Sequence, residues 1–216
     1  MTSTFPGSPK LLKGGLVLAD PASGAILRVI TLQYNPDTLS RSLQAKTIGE
    51  TGDRSEALRL KGPAVETIKL EAEIDATDQL ETGDAQTTEV GIHPQLAALE
   101  TIIHPTSGEL TSNNNLAQSG TLEIIPMEAP LALFVWSKNR VVPVRVTELS
   151  ITEEAFDVAL NPIRAKVSLG LRVLSVDDFG FDQLGGSLFM THLQQKERLA
   201  ARNPAGALAT LGIGGI

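Results

Sequence analysis

The stretch from Val141 to Leu174, VVPVRVTELSITEEAFDVALNPIRAKVSLGLRVL, constrains this chain more than any other. In its second half Ile163, Ala165, Val167, Leu169, Leu171 and Val173 are apolar at every second position, with Arg164, Lys166, Ser168, Gly170 and Arg172 between them. Side chains of a strand alternate between its faces, so the pattern predicts a long strand with one greasy face and the other polar or basic. The first half opens with Val142, Val144 and Val146, then changes register to Leu149 and Ile151. A slip of one residue at Thr147–Glu148 predicts a β-bulge. Together the halves read as an antiparallel hairpin with arms of about eleven residues, against a usual strand length of roughly five or six. Strands that long with a charged face suit a barrel or a sheet shared between subunits, where neighbours cover the edges.

The remaining chain supplies partners for this hairpin. Residues 15–34 predict a first hairpin around the turn Asp20-Pro21-Ala22-Ser23-Gly24, ending at Asn35-Pro36-Asp37. Residues 40–63 read as an extended excursion without a buried face. Thr67 to Asp75 alternates Ile68, Leu70, Ala72 and Ile74 with Lys69, Glu71 and Glu73, which is a strand pattern. Residues 75–90 read as an acidic, turn-rich segment. Pro94 opens a helix, PQLAALETII, which Pro105 ends. Residues 106–120 read as a polar loop, and Leu131 to Trp136 as a strand buried on both faces. A C-terminal helix is expected over 187–202, then a small-residue tail. With 42% hydrophobic but only 4% aromatic residues, the core must be aliphatic. The expected class is mainly β (α+β): an antiparallel barrel or two packed sheets with a flanking helix, long hairpin arms and a C-terminal helix. Residues 1–180 form the expected β domain, and 181–216 the C-terminal helix and tail.

Several functions are excluded or unsupported. A net charge of −7 makes a nucleic-acid backbone a poor partner, and the chain has no cysteine for disulfides or thiolate metal sites. The N-terminal segment lacks an apolar signal region, and no run approaches ~18 apolar residues, so no membrane insertion is expected. His93 and His104 stand about 16 Å apart along a helix, too far to share a metal. The acidic residues Asp75, Asp78, Glu81, Asp84 and Glu89 lack the calcium-loop register. Asp178-Phe179-Gly180 matches a kinase triplet without the rest of that motif set. Glu153-Glu154 and Asp177-Asp178 are adjacent carboxylates, which in a strand point to opposite faces. The expectation is a non-enzyme without metal or cofactor.

Four stretches taken in order carry a family resemblance: LQYNPDTLSRSL (32–43), VETIKLEAEIDATD (65–78), GIHPQLAALETIIHP (91–105) and residues 133–178 with their SITEEAFD and LNPIRA segments. They resemble the N-terminal domain of the tube-adaptor, or tube-initiator, baseplate protein of phage-tail-like extracellular contractile injection systems. The resemblance covers roughly residues 11–202. It implies a tail-tube-like fold, assembly into a six-fold ring with a β-lined lumen, and coupling of the central spike to the first inner-tube layer. Many relatives continue into a LysM domain. Here only AGALATLGIGGI follows the terminal helix, so peptidoglycan binding is not carried over.

The expected function is a ring subunit joining spike or hub to inner tube and templating tube assembly. Its partners would be further copies of itself in a hexameric ring, the spike or hub protein, an inner-tube or initiator protein, and baseplate components. Synthesis and assembly would be cytoplasmic, within a particle that is released or host-anchored. Alternatives are the main inner-tube protein or another initiator layer and, in other classes, a stand-alone β-sandwich binding module or a hydrolase. Arg164, Lys166 and Arg172 are the candidate lumen-facing residues. Val167, Leu169 and Leu171 are the candidate subunit-packing residues.

Overall fold

A computed structural model describes residues 12–47, 59–120, 128–204, 206 and 208–212. Seven strands form one antiparallel sheet: β1 (Gly15–Ala19), β2 (Ile26–Thr31), β3 (Leu39–Thr47), β4 (Leu60–Asp75), β5 (Leu131–Val135), β6 (Val141–Phe156) and β7 (Pro162–Val173). Their order across the sheet is β2-β1-β5-β6-β7-β4-β3. The helices are α1 (Thr77–Glu81), α2 (Ala85–Val90), α3 (His93–Glu100), α4 (Ser107–Gln118) and α5 (Leu184–Ala200). The expected mainly-β class holds, with a helix flanking the sheet and another at the C-terminal end.

The organising hairpin forms as its alternation predicts. Ala165, Val167, Leu169 and Leu171 are at most 2% exposed, flanked by Ile68, Leu70, Ala72 and Ile74 of β4. Burying such side chains is the main stabilising term, roughly 1.5–3 kcal/mol for each Val, Leu or Ile. The register of β6 against β7 shifts between Val146 and Glu148, the expected bulge. Opposite it stands Gly170, where an added Cβ would lie 2.9 Å from the Glu148 Cβ, so glycine gives the bulge its room.

Four expectations change. The sheet is not a closed barrel. It curls until Gln33, just past β2, reaches the end of β4. There the Gln33 side-chain amide donates to the Asp75 carbonyl at 2.6 Å and accepts from the Asp75 N–H at 2.9 Å. One amide thus stands where a strand ladder would close the barrel. β2 is only six residues long, and Arg28 ties it to α3 by donating to the Ala98 carbonyl and Thr101 Oγ1. Second, the excursion expected over 40–63 contains β3 and the start of β4; residues 48–58 lie outside the described set. β3 is an edge strand with most side chains exposed, so it carries no apolar alternation for pattern reading to detect. Third, the polar segment 106–120 is helix α4. Thr106 Oγ1 accepts from the Glu109 N–H, and the Glu109 carboxylate accepts from the Thr106 N–H, a complete capping box. Likewise the acidic segment 75–90 holds α1 and α2, with Asp84 capping α2 through the Thr87 N–H.

Gly91 joins α2 to α3 and fixes where the hairpin meets the helices. Its backbone has φ 58° and ψ −138°, and an added Cβ would lie 2.3 Å from the Pro162 carbonyl oxygen. That oxygen accepts from the Ile92 N–H at 2.9 Å. Gly91→Ala is expected to destabilise the chain by roughly 2 kcal/mol, through backbone strain and a displaced β7 start. Urea unfolding checks this; an unchanged midpoint would show that the junction is soft.

Candidate functional site

The polar face of β4, β6 and β7 holds the three sequence-selected cations, each paired with a carboxylate. Arg164 Nε lies 2.8 Å from Asp75 Oδ2, Lys166 Nζ 2.8 Å from Glu154 Oε1, and Arg172 Nη2 2.8 Å from Asp178 Oδ1. The hydrogen bonds to Asp75 and Glu154 raise the Arg164 and Lys166 pKa values above their ordinary range. Lys69 pairs with Glu148 at 3.4 Å, while Glu71 and Glu73 of β4 stand opposite Ser168 and Lys166. The face is therefore a mixed-charge, ion-paired surface rather than a basic one. Its acidic members come from elements that the β7 pattern alone does not reveal.

Val167, Leu169 and Leu171 are 0%, 2% and 0% exposed. They pack inside this chain's own core and leave no surface for a neighbouring copy. The contact surfaces open to a partner are the strand edges and the hairpin tip. β5 pairs with β6 only over 141–144, so the outer edge of β6 from Arg145 to Phe156 has no strand partner among the described residues. At about 3.4 Å per residue this is roughly 40 Å of open edge. The outer edges of β2 and β3 are likewise unpaired among the described residues.

A buried ionic clasp fastens α5 to the sheet. Glu66 of β4 is 6% exposed and accepts from Arg41 of β3 at 2.7 Å and Lys196 of α5 at 2.8 Å. Burial alone would raise the Glu66 pKa, but these two cations bring it below the ordinary carboxylate value. His192, one turn before Lys196, is 4% exposed, and its buried Nδ1 has no hydrogen-bond partner among the described residues. Burial, with Lys196, Arg41 and Arg140 nearby, lowers its pKa to about 4 against the pull of Glu66. Sequence reading passed over this clasp. Its members are scattered along the chain from 41 to 196, and only the fold brings them together.

The carboxylate pairs that invite acid–base chemistry are engaged elsewhere. Glu154 binds Lys166, Asp177 binds Lys46 at 2.6 Å, and Asp178 holds Arg172 and the Ser175 N–H. Among the described residues no group of three His, Cys, Asp or Glu side chains is placed to hold a metal, and no helix is long and apolar enough to cross a membrane.

No protein-family model matches the chain, and no curated protein does. Among solved structures it is similar to a chain of the tail of an empty gene transfer agent particle, refined with C6 symmetry, at 12% identity and TM-score 0.30, over 74% of this chain and 90% of that one. A chain of the native gene transfer agent virion gives 11% identity and TM-score 0.28 over the same shares.

Proposed function

We propose that this chain is a structural subunit of a phage-tail-like contractile particle, forming a ring that joins the spike or hub to the inner tube and templates tube assembly. The observation that carries the reading is the open outer edge of β6 from Arg145 to Phe156, on a hairpin longer than a small monomer needs. An unpaired edge of that length is an aggregation hazard unless another chain covers it. A closed ring of identical subunits covers such edges in every copy. The ordered sequence resemblance over residues 32–178 supports the same assignment. Negative-stain microscopy and sedimentation of the particle test it. Rings that co-sediment with sheath and tube subunits are expected, and a folded chain that stays monomeric and never co-sediments would remove the reading.

Within that ring, Arg164, Lys166 and Arg172 line the lumen in this proposal. Because each is paired, they would present a near-neutral surface rather than a basic one. Reversing all three to Glu puts each against its carboxylate partner and makes the face strongly acidic. The three cations are 32–50% exposed and pairs at such partly exposed positions are worth about 1 kcal/mol each, so rings should still form. Tube stacking or cargo loading on intact rings is expected to change. Unaltered loading would place the face outside the lumen.

A further inference from the structure

The turn at the tip of the β6–β7 hairpin exposes three large apolar side chains at alternate positions. Phe156 is 49%, Val158 106% and Leu160 77% exposed. The turn is held rigid. The Asp157 N–H donates to the Asn161 carbonyl at 2.9 Å, and the Leu160 N–H to the Asp157 carbonyl at 3.1 Å. Asp157 Oδ1 accepts from the Ala159 and Asn161 N–H groups at 2.7 and 2.8 Å. Asn161 Nδ2 donates to Asp157 Oδ2 at 2.9 Å and to the Glu89 carbonyl at 3.1 Å, anchoring the tip to α2. Leu160 sits at φ 65°, in the left-handed region where glycine or asparagine would be less strained. A leucine kept there with its side chain in solvent serves nothing inside a single copy.

The chain also leaves an apolar cleft of about 380 Å³ between β2 and α3. Leu32, Ala72, Ile74 and Leu99 form its buried floor, with Val29, 56% exposed, and Ala98 at its lip. Arg28 stands at the mouth, bonded only to the Ala98 carbonyl and Thr101 Oγ1, and meets no carboxylate among the described residues. Glu73, on the opposite wall, lies in the field of Arg164 and Lys166. The hairpin tip brings the complement: apolar side chains together with Asp157, whose carboxylate its turn hydrogen bonds keep ionised, and exposed Glu153.

We propose that the tip of one copy, through Phe156, Val158 and Leu160, docks into the β2–α3 cleft of a second copy. Knob and cleft are different surfaces of one molecule, so the contact is heterologous and generates a ring when its rotation closes. This rests on the ring-subunit reading and adds a second contact to the covered β6 edge.

Three variants of the full chain test it, each read for melting temperature and for association by sedimentation velocity. Val158→Asp is expected to melt like the wild type and to associate at least about tenfold more weakly, as loss of a buried anchor requires. Ala98→Trp fills the cleft from the other side and should weaken association equally. Leu160→Gly relieves the left-handed strain, so the unassociated chain should melt higher while association falls; a purely structural leucine would leave association unchanged. A photo-cross-linking residue at 158 should label the second copy around Val29 or Ala98. Wild-type association in Val158→Asp, or a cross-link elsewhere on the copy or on another protein, overturns the docking. If the wild type forms rings while Val158→Asp does too, only the docking fails; a wild type that stays monomeric with tube and spike proteins present removes the ring reading as well.

Discussion

Val167→Asp is expected to abolish the folded state. Val167 is fully buried in the middle of β7, opposite Ala72 on β4 and Ile151 on β6. Losing the valine removes roughly 1.5–3 kcal/mol of burial. A carboxylate in its place has no cation on that face of the strand, and burying an unpaired charge costs several kcal/mol more even after it neutralises by taking up a proton. The sum reaches much of the 5–15 kcal/mol that holds a typical domain together. Circular dichroism should show no cooperative melting, and the chain should be largely insoluble. Ser168→Asp, one residue on, is the control. Ser168 faces the polar surface and stands opposite Glu71 and Ser150, so the extra charge costs no more than about 1 kcal/mol. A cooperative, near-native melt for Val167→Asp would mean that the odd-numbered face of β7 is not the core.

That one-residue contrast also explains what the sequence made legible. Strands with one buried face announce themselves, because a period of two is visible wherever core and solvent alternate; β4 and β7 were read from Ile68–Ile74 and Ile163–Val173 alone. The bulge was legible for the same reason, since Leu149 and Ile151 fall out of step with Val146. β3 was not, because an exposed edge strand has no buried face to pattern its residues. Helix α4 has no buried residue either, so its only signal was the spacing of Thr106 and Glu109, which can form a capping box before any apolar run exists. The three cations of β7 were legible as a row. Their neutralisation was not, since Asp75, Glu154 and Asp178 come from three other places in the chain. The single amide at Gln33 that stands in for barrel closure is a tertiary event with no local signature.

The clasp beneath α5 should make this protein acid-labile in a window set by His192. The charged groups that bear on the imidazole among the described residues are Lys196 on the same helix, Arg41 of β3, Glu66 of β4 and Arg140 just before β6. Only Glu66 favours the imidazolium, and burial together with the three cations outweighs it, holding the folded pKa to about 4 against an ordinary 6.5. The unfolded chain therefore takes up a proton as pH falls through 6.5, whereas the folded chain refuses it until about 4. Stability is complete above the unfolded value and drains away between those limits, reaching a loss of about 3 kcal/mol at the bottom of the window. As pH falls below the ordinary carboxylate value of 4.5, Glu66, whose folded pKa is also depressed, adds to the loss, and its protonation removes the acceptor that Arg41 and Lys196 share. His192→Leu isolates the first effect. It deletes the titrating group and the unpartnered Nδ1 together, so neutral-pH stability should change by no more than about 1 kcal/mol in either direction. Urea unfolding at pH 7, 6 and 5 should give a steep pH slope in the wild type and a nearly flat one in His192→Leu, with the carboxylates adding a shared loss below pH 5. Parallel slopes in the two proteins would mean that the imidazole is reached by water in the folded state and that the acid sensitivity lies with the carboxylates.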